Sequence, residues 1–215
     1  MNNSKKIIPL AILSIYSFAN NSWADEIISP KLNLSPVVVT GTRIEQNSFD
    51  LPMSINSISA DTINGAQQQV HLSESAARIP GVVINNRNHG AQELSISSRG
   101  FGPRSQFGIR GIRLYTDGMP LTMPDGLGVS SAMSLDNASS IEFLRGPFTA
   151  LYGSSSGGVV HLLTKNGGPE TELSAGAFYG SYGTHRETTT LSGQISNVNY
   201  SLNASHYETD GYRDW

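Results

Sequence analysis

Two patterns in this chain contain residue types that could do catalytic or metal chemistry. Gly153-Ser154-Ser155-Ser156-Gly157 fits the G-x-S-x-G pattern, in which Ser155 would be a nucleophile. That pattern needs a strand before the serine, a helix after it, and an acid and a histidine to activate the hydroxyl. Here the apolar run Val159–Leu163 follows, and no acid–histidine pair is evident. Ser155 therefore reads as a loop serine, and neither a catalytic residue nor an enzyme is expected. Five histidines, at positions 71, 89, 161, 185 and 206, are scattered without the short spacings usual for zinc ligands. No metal site and no cofactor are expected.

A third pattern is basic. From Arg87 to Arg113 there are arginines at 87, 99, 104, 110 and 113 against one acid, Glu93, and five less one leaves a local charge of +4. Guanidinium forks match carboxylates, so this stretch could attract and clamp an anionic small molecule. Equally, some of these arginines could be structural, each needing a carboxylate partner once buried. The whole chain carries a net charge of −3 and has no lysine-rich run, which argues against a nucleic-acid partner.

A fourth pattern is mechanical. Pro36-Val37-Val38-Val39-Thr40-Gly41 is a short extended segment, with a proline lacking an N–H at one end and a turn-permitting glycine at the other. It could add a strand to the sheet edge of another protein, or be the first strand of this protein's own sheet. The residues leave both open.

The elements that must carry these patterns are strands and turns. Charged residues are 14% of the chain, against about 25% in soluble domains. Glycine, 22 of 215 residues, exceeds the common level of about 7%. There is no cysteine, so disulfides and thiolate chemistry are excluded. Residues 1–24 have the order of a secretory signal: Lys5 and Lys6, an apolar stretch from Ile7 to Phe18, then Ser22-Trp23-Ala24, with cleavage expected after Ala24. That stretch is shorter than the roughly 20 residues that span a bilayer. Residues 25–45 read as a polar tail carrying the valine segment.

Residues 46–167 read as a small α+β domain. Strands are expected over 51–58, 82–84, 94–96, 109–115, 141–144 and 159–163, with helices near 59–61 and from about 71 to 78. Asp117-Gly118 signals a tight turn. Loops are expected over 85–92, 101–107, 120–131 and 153–158. From 168 to 215 the texture changes: Leu191, Gly193 and Ile195, then Tyr200, Leu202 and Ala204, alternate with polar neighbours. Segments of about ten residues with this period, and aromatics such as Phe178, Tyr179, Tyr182, Tyr207, Tyr212 and Trp215 near their ends, fit strands of an outer-membrane β-barrel. A soluble antiparallel sheet has the same period. Two or three strands cannot close a barrel, so the chain is expected to be the front of a longer protein.

Ser98-Arg99-Gly100-Phe101-Gly102, Leu114-Tyr115-Thr116-Asp117-Gly118-Met119-Pro120, Ile141-Glu142-Phe143-Leu144-Arg145-Gly146-Pro147, Leu151-Tyr152-Gly153 and Gly157-Gly158-Val159-Val160 together resemble, in order and spacing, the plug domain of TonB-dependent outer-membrane receptors. Ile79-Pro80-Gly81-Val82 resembles the plug's early helix–strand junction, and the segment Pro36–Gly41 resembles a TonB box. Gly111–Tyr115 with Thr122–Gly126 looks most like the pyrroloquinoline-quinone receptor subgroup. One departure is Ser98, where the family has an apolar residue before Arg-Gly; it is expected to weaken packing of its strand.

The resemblance implies a plug enclosed by a barrel in the outer membrane, with its tail in the periplasm. TonB, with its energising inner-membrane complex, would pull the tail by pairing with Pro36, Val37, Val38, Val39, Thr40 and Gly41. It also implies that Arg99 and Arg145 pair with barrel glutamates. Arg87, His89, Gln92, Arg104, Gln106 and Asp125 would lie at the outward plug apices and touch a ligand, either pyrroloquinoline quinone or a ferric siderophore. The alternative is a truncated, plug-like periplasmic binding module without transport. A signalling receptor is not expected, because about 20 residues between Asp25 and the plug leave no room for an extra domain.

Overall fold

A computed structural model describes residues 38–39, 44, 46–65, 67–86, 93–102, 108–146 and 149–212. Short strands β1 (Val38–Val39) and β2 (Gln46–Asn47) precede β3 (Ser54–Ser59), α1 (Ala60–Asn64) and α2 (Leu72–Ala76). Then come β4 (Val82–Asn85), β5 (Ser95–Ser98), β6 (Ile112–Thr116), β7 (Met119–Pro120) and β8 (Ala138–Arg145). After α3 (Thr149–Tyr152) follow β9 (Gly158–Thr164), β10 (Glu172–Tyr179), β11 (His185–Ile195) and β12 (Val198–Glu208).

The central element is a five-stranded mixed sheet in the order β3-β8-β9-β6-β7, with β6 and β9 parallel and the other pairs antiparallel. Both faces are covered, which is why β8 and β9 read as nearly continuous apolar runs rather than alternating ones. Ile141, Phe143, Leu114, Ile112, Val160 and Leu162 join the larger core with Ile63, Leu72 and Ala76 of the helices. Their neighbours Leu144, Tyr115 and Val159 pack on the other face with Tyr152 of α3. Each of the helices is at most five residues long, too short to be stable in isolation, so packing holds them. Gly158 (φ +124°) sits where β9 begins beside β8, and a Cβ there would collide with the Leu144 carbonyl.

Several expectations are adjusted. The second helix stops at Ala76 rather than reaching residue 78. Ile109 is outside β6: it forms an isolated bridge with Gly128, and Gly111 at φ +78° breaks the run before Ile112. The stretch 120–131 contains ordered structure, including the end of β7 and a 3-10 turn at Ser130–Ala132. Asp117-Gly118 does form the tight turn, with both φ angles positive (48° and 81°), and Asp117 also accepts from the Thr164 backbone and hydroxyl, tying this hairpin to β9.

Ser98 keeps the inward position that the alternation of Leu94 and Ile96 demands, and it is buried. Its hydroxyl has no hydrogen-bond partner. Beside it is a crevice of about 10 Å³ lined by Val82, Ile96, Ile112, Phe143 and Val160, barely room for one water. A valine here removes the unsatisfied hydroxyl and fills the crevice. Ser98→Val is expected to stabilise the domain by about 1 kcal/mol, read as a higher urea midpoint of the purified chain with unchanged slope; a lower midpoint would mean the site is already full.

Candidate functional site

β10, β11 and β12 form a separate three-stranded antiparallel sheet, paired without interruption from Glu172↔Ser192 to Tyr179↔His185 and from His185↔Glu208 to Ile195↔Val198. That register sorts the side chains onto two faces. One face carries Thr188, Thr190, Ser192, Ser201, Asn203 and Ser205, and is polar. The other carries Leu173, Leu191, Leu202, Ala175 and Ala204. Leu173 and Leu202 are exposed there, as are Tyr179, Ile195 and Val198.

The polar face meets the α+β domain. Arg186 of β11 makes an ion pair with Asp136, in the segment leading into β8, and each side chain is only 8% exposed. Its Nη1 also donates to Gln69 Oε1 at 3.0 Å, and the Glu74 carboxylate adds an attraction. Glu74 itself accepts from the backbone N–H groups of Gln69, Val70 and His71 at 2.9–3.0 Å, which shapes the loop ahead of α2. Next to Asp136, Asn137 Nδ2 donates to Ser201 Oγ of β12 at 2.7 Å. A Cβ on Gly167 would collide with the backbone of Gly193, so the connection to β10 runs directly against β11. Neither Arg186 nor Asp136 stood out in the sequence: they lie 50 positions apart (186 − 136). A polar, inward-pointing arginine in an alternating strand was the available signal.

The basic stretch does not gather into one face among its described residues. Arg110 pairs with Asp125 at 3.7 Å, both exposed, and Arg113 Nε donates to the Ser154 carbonyl at 3.0 Å. Asp125 Oδ1 accepts from the Leu127 N–H, so this residue shapes its own turn. Arg99 and Arg145 converge on Gly81: an added Cβ there would lie 3.7 Å from Arg99 Cγ and 3.8 Å from Arg145 Nη1. Arg99 occupies the left-handed region at φ 49°, in a tight turn with Gly100, a conformation that costs a side-chain-bearing residue about 1 kcal/mol or more. Burial and then the charge of Arg99 hold the Arg145 guanidinium below its usual value. Arg145 donates to the Pro80 carbonyl, its Nε is buried without a hydrogen-bond partner, and among the described residues no carboxylate pairs with either arginine. Arg87, His89, Gln92, Arg104 and Gln106 lie outside the described residues, as do residues 1–37, Thr40, Gly41 and Trp215.

Glu93, the lone acid of that stretch, gathers the 3-10 turn at Ser130–Ala132. It accepts from the N–H and hydroxyl of Ser130 at 2.7 and 2.6 Å, and of Ser131 at 3.2 and 2.6 Å. Burial raises its carboxyl pKa, but these hydrogen bonds outweigh it, and the net shift is downward. Ser155 is fully buried and donates to the Gly153 carbonyl. The helix α3 precedes it and strand β9 follows, the reverse of what a nucleophile elbow requires. His185 of β11, with His206 and Glu208 two residues apart on β12, present ligand atoms within 4.8 Å of one another. Cross-strand register, not spacing along the chain, brings them together.

A small mixed-sheet α+β domain, with a strand wall docked on it by its polar face, has the architecture of a plug with the beginning of the barrel around it. The chain belongs to the family described as TonB-dependent Receptor Plug Domain, whose model matches residues 47–160. Solved structures share the fold. The ferric yersiniabactin uptake receptor of Yersinia pestis matches at 24% identity over 73% of this chain and 24% of its own, with a TM-score of 0.55. The pyoverdine outer membrane receptor of Pseudomonas aeruginosa matches at 18% identity over 81% and 25%, with a TM-score of 0.66. The alcaligin outer membrane receptor of Bordetella pertussis matches at 19% over 80% and 29%, with a TM-score of 0.63. The chain thus spans about a quarter of the length of these receptors.

Two measurements test this geometry. Removing one partner of the Arg186–Asp136 pair strands a buried charge, so Arg186→Ala or Asp136→Asn is expected to cost on the order of 3 kcal/mol. In a double-mutant cycle the second substitution should cost far less than the first; additive losses would show that the two side chains do not interact. For Glu93 the folded pKa is depressed, so its stabilisation is present above the unfolded value near 4.5 and disappears as pH falls through the lower folded value. Wild type should therefore exceed Glu93→Gln in stability at pH 6 and lose that advantage towards pH 3. A gap that persists unchanged in acid would mean the carboxylate charge is irrelevant.

Proposed function

We propose that this chain is the front part of a TonB-dependent outer-membrane receptor for active uptake of a scarce anionic compound. The observation that carries the reading is the docking of the strand wall on the plug domain through Arg186, with an apolar face turned the other way. In this reading residues 1–24 are a signal peptide, residues 25–45 a periplasmic tail with the TonB box, and residues 168–215 the first strands of the barrel. Val38 and Val39 pair antiparallel with Asn47 and Gln46. That ladder of two residues per strand is an extended segment already in the conformation that TonB would take over by main-chain hydrogen bonds.

Arg99 and Arg145 sit side by side, the Arg145 Nε buried without a hydrogen-bond partner, and barrel glutamates outside this chain would complete them. For the ligand, the motifs Gly111–Tyr115 and Thr122–Gly126 support pyrroloquinoline quinone, and the exposed Arg110–Asp125 pair stands within that region. The siderophore ligands of the structurally similar receptors support a ferric siderophore as the second reading. The quinone, or an anionic ferric siderophore, suits Arg87 and Arg104 of the proposed apical loops, with His89, Gln92, Gln106 and Asp125 as polar contacts.

The test is uptake by a deletion strain carrying the full-length gene, supplied with limiting pyrroloquinoline quinone or with a panel of ferric siderophores. Wild type should restore growth on the quinone. Val38→Pro, which removes a backbone donor from the extended segment, should cut uptake by roughly tenfold or more while ligand binding to cells is kept. Rescue by a siderophore alone would replace the quinone, and full uptake by Val38→Pro would remove the valine segment from the mechanism.

A further inference from the structure

At the end of the wall next to the turn between β10 and β11, three potential ligands share the face that carries Leu191 and Leu202. His206 and Glu208 are two residues apart on β12, so both point to that side. His185 of β11 stands directly opposite Glu208, and Glu187 stands opposite His206. His185 Nε2 is 3.5 Å from Glu208 Oε2, and His206 Nε2 is 3.7 Å from the same oxygen. The two imidazole rings are 5.9 Å apart, centre to centre.

These separations are too long for direct hydrogen bonds, which for N–H···O run to about 3.2 Å. They are close to the edge of a tetrahedral zinc site, about 3.3 Å for metal–ligand bonds of 2.0–2.1 Å. The protonation pattern points the same way. His185 Nδ1 lies 3.1 Å from the Gly183 carbonyl, which can only accept, so that nitrogen carries the proton. In the neutral ring Nε2 is then a bare lone pair facing a carboxylate oxygen, and a cation between them resolves the repulsion. A ligating histidine held by a carbonyl at its other nitrogen is the usual support of a metal site.

We propose that His185, His206 and Glu208 form a three-ligand site for a borderline divalent cation, with zinc the best match, leaving a fourth position open to water, Glu187 or an outside ligand. Two imidazoles and one carboxylate favour zinc over the hard cations calcium and magnesium. The bound ion would clip β11 to β12 beside their ends. The inference rests on the strand register and ligand chemistry and is independent of the uptake reading.

The test uses the full-length protein in detergent, purified without a polyhistidine tag, stripped with a chelator and titrated calorimetrically with zinc. Wild type should take up zinc at this site, and His206→Ala or Glu208→Gln should weaken it at least about tenfold. His206 and Glu208 are about two-thirds exposed, so both variants should match the zinc-free melting temperature of wild type, and zinc should raise only that of wild type. Absence of zinc uptake by wild type, or affinity and thermal shift unchanged in both variants, would overturn the proposal.

Discussion

In β10–β12 every second side chain must suit a different surrounding, because a β-strand sends neighbours to opposite faces. One face of this wall is threonine, serine and asparagine and meets the plug. The other has leucine and alanine through its middle. A slip of one residue in β11 would carry Arg186 out of its buried pair and drive Leu191 against polar groups. The ion pair with Asp136 contributes little net energy against an apolar substitute, but it is unforgiving of misplacement, and so it fixes where the wall meets the plug.

The plug answers the wall with polar groups held by its own hydrogen bonds. Gln69 is presented to Arg186 by a loop whose backbone N–H groups converge on Glu74. Asp136 and Asn137 are presented at the start of β8, and Lys165 N–H returns to the Asn137 carbonyl. The plug's docking surface therefore hangs directly from its central sheet. A buried sheet transmits displacement because its packing is dense. Movement of β8 would be felt at Arg186 and Ser201 without any dedicated linkage.

The strands of the plug were legible because continuous apolar runs such as Ile141–Leu144 and Val159–Leu163 stand out against glycine-rich loops. The Asp117-Gly118 turn was legible for a chemical reason, the positive φ it requires. The break at Gly111 was not, because a glycine beside an apolar residue reads equally well as strand or interruption. Contacts across elements were hidden altogether. Arg186 finds Asp136, and His185 finds Glu208, only once hairpin register is fixed, and pairings at such separations leave no periodic trace. The arginine cluster was visible as charge, but its division into an exposed pair at Arg110 and a close pair at Arg99 and Arg145 depends on the fold.

One of the two shortest ladders among the described residues is placed at the tail. β1 and β2 exchange two residues each, and a two-stranded pair of that size is marginal in water. Each backbone hydrogen bond there contributes roughly 0.5–1.5 kcal/mol net. A partner strand that displaced β2 would replace those bonds with its own, so the exchange is nearly neutral in hydrogen bonding, and side-chain contacts decide it. By contrast, β8 is paired on both sides from Ser140 to Arg145 within the central sheet. Tension applied at Val38–Val39 would therefore open β1 from β2 long before it disturbed the sheet. Under the proposed function, that difference would let an extended tail be captured while the plug stays folded, and the next event would depend on how firmly the plug is held by the wall, Arg186 included.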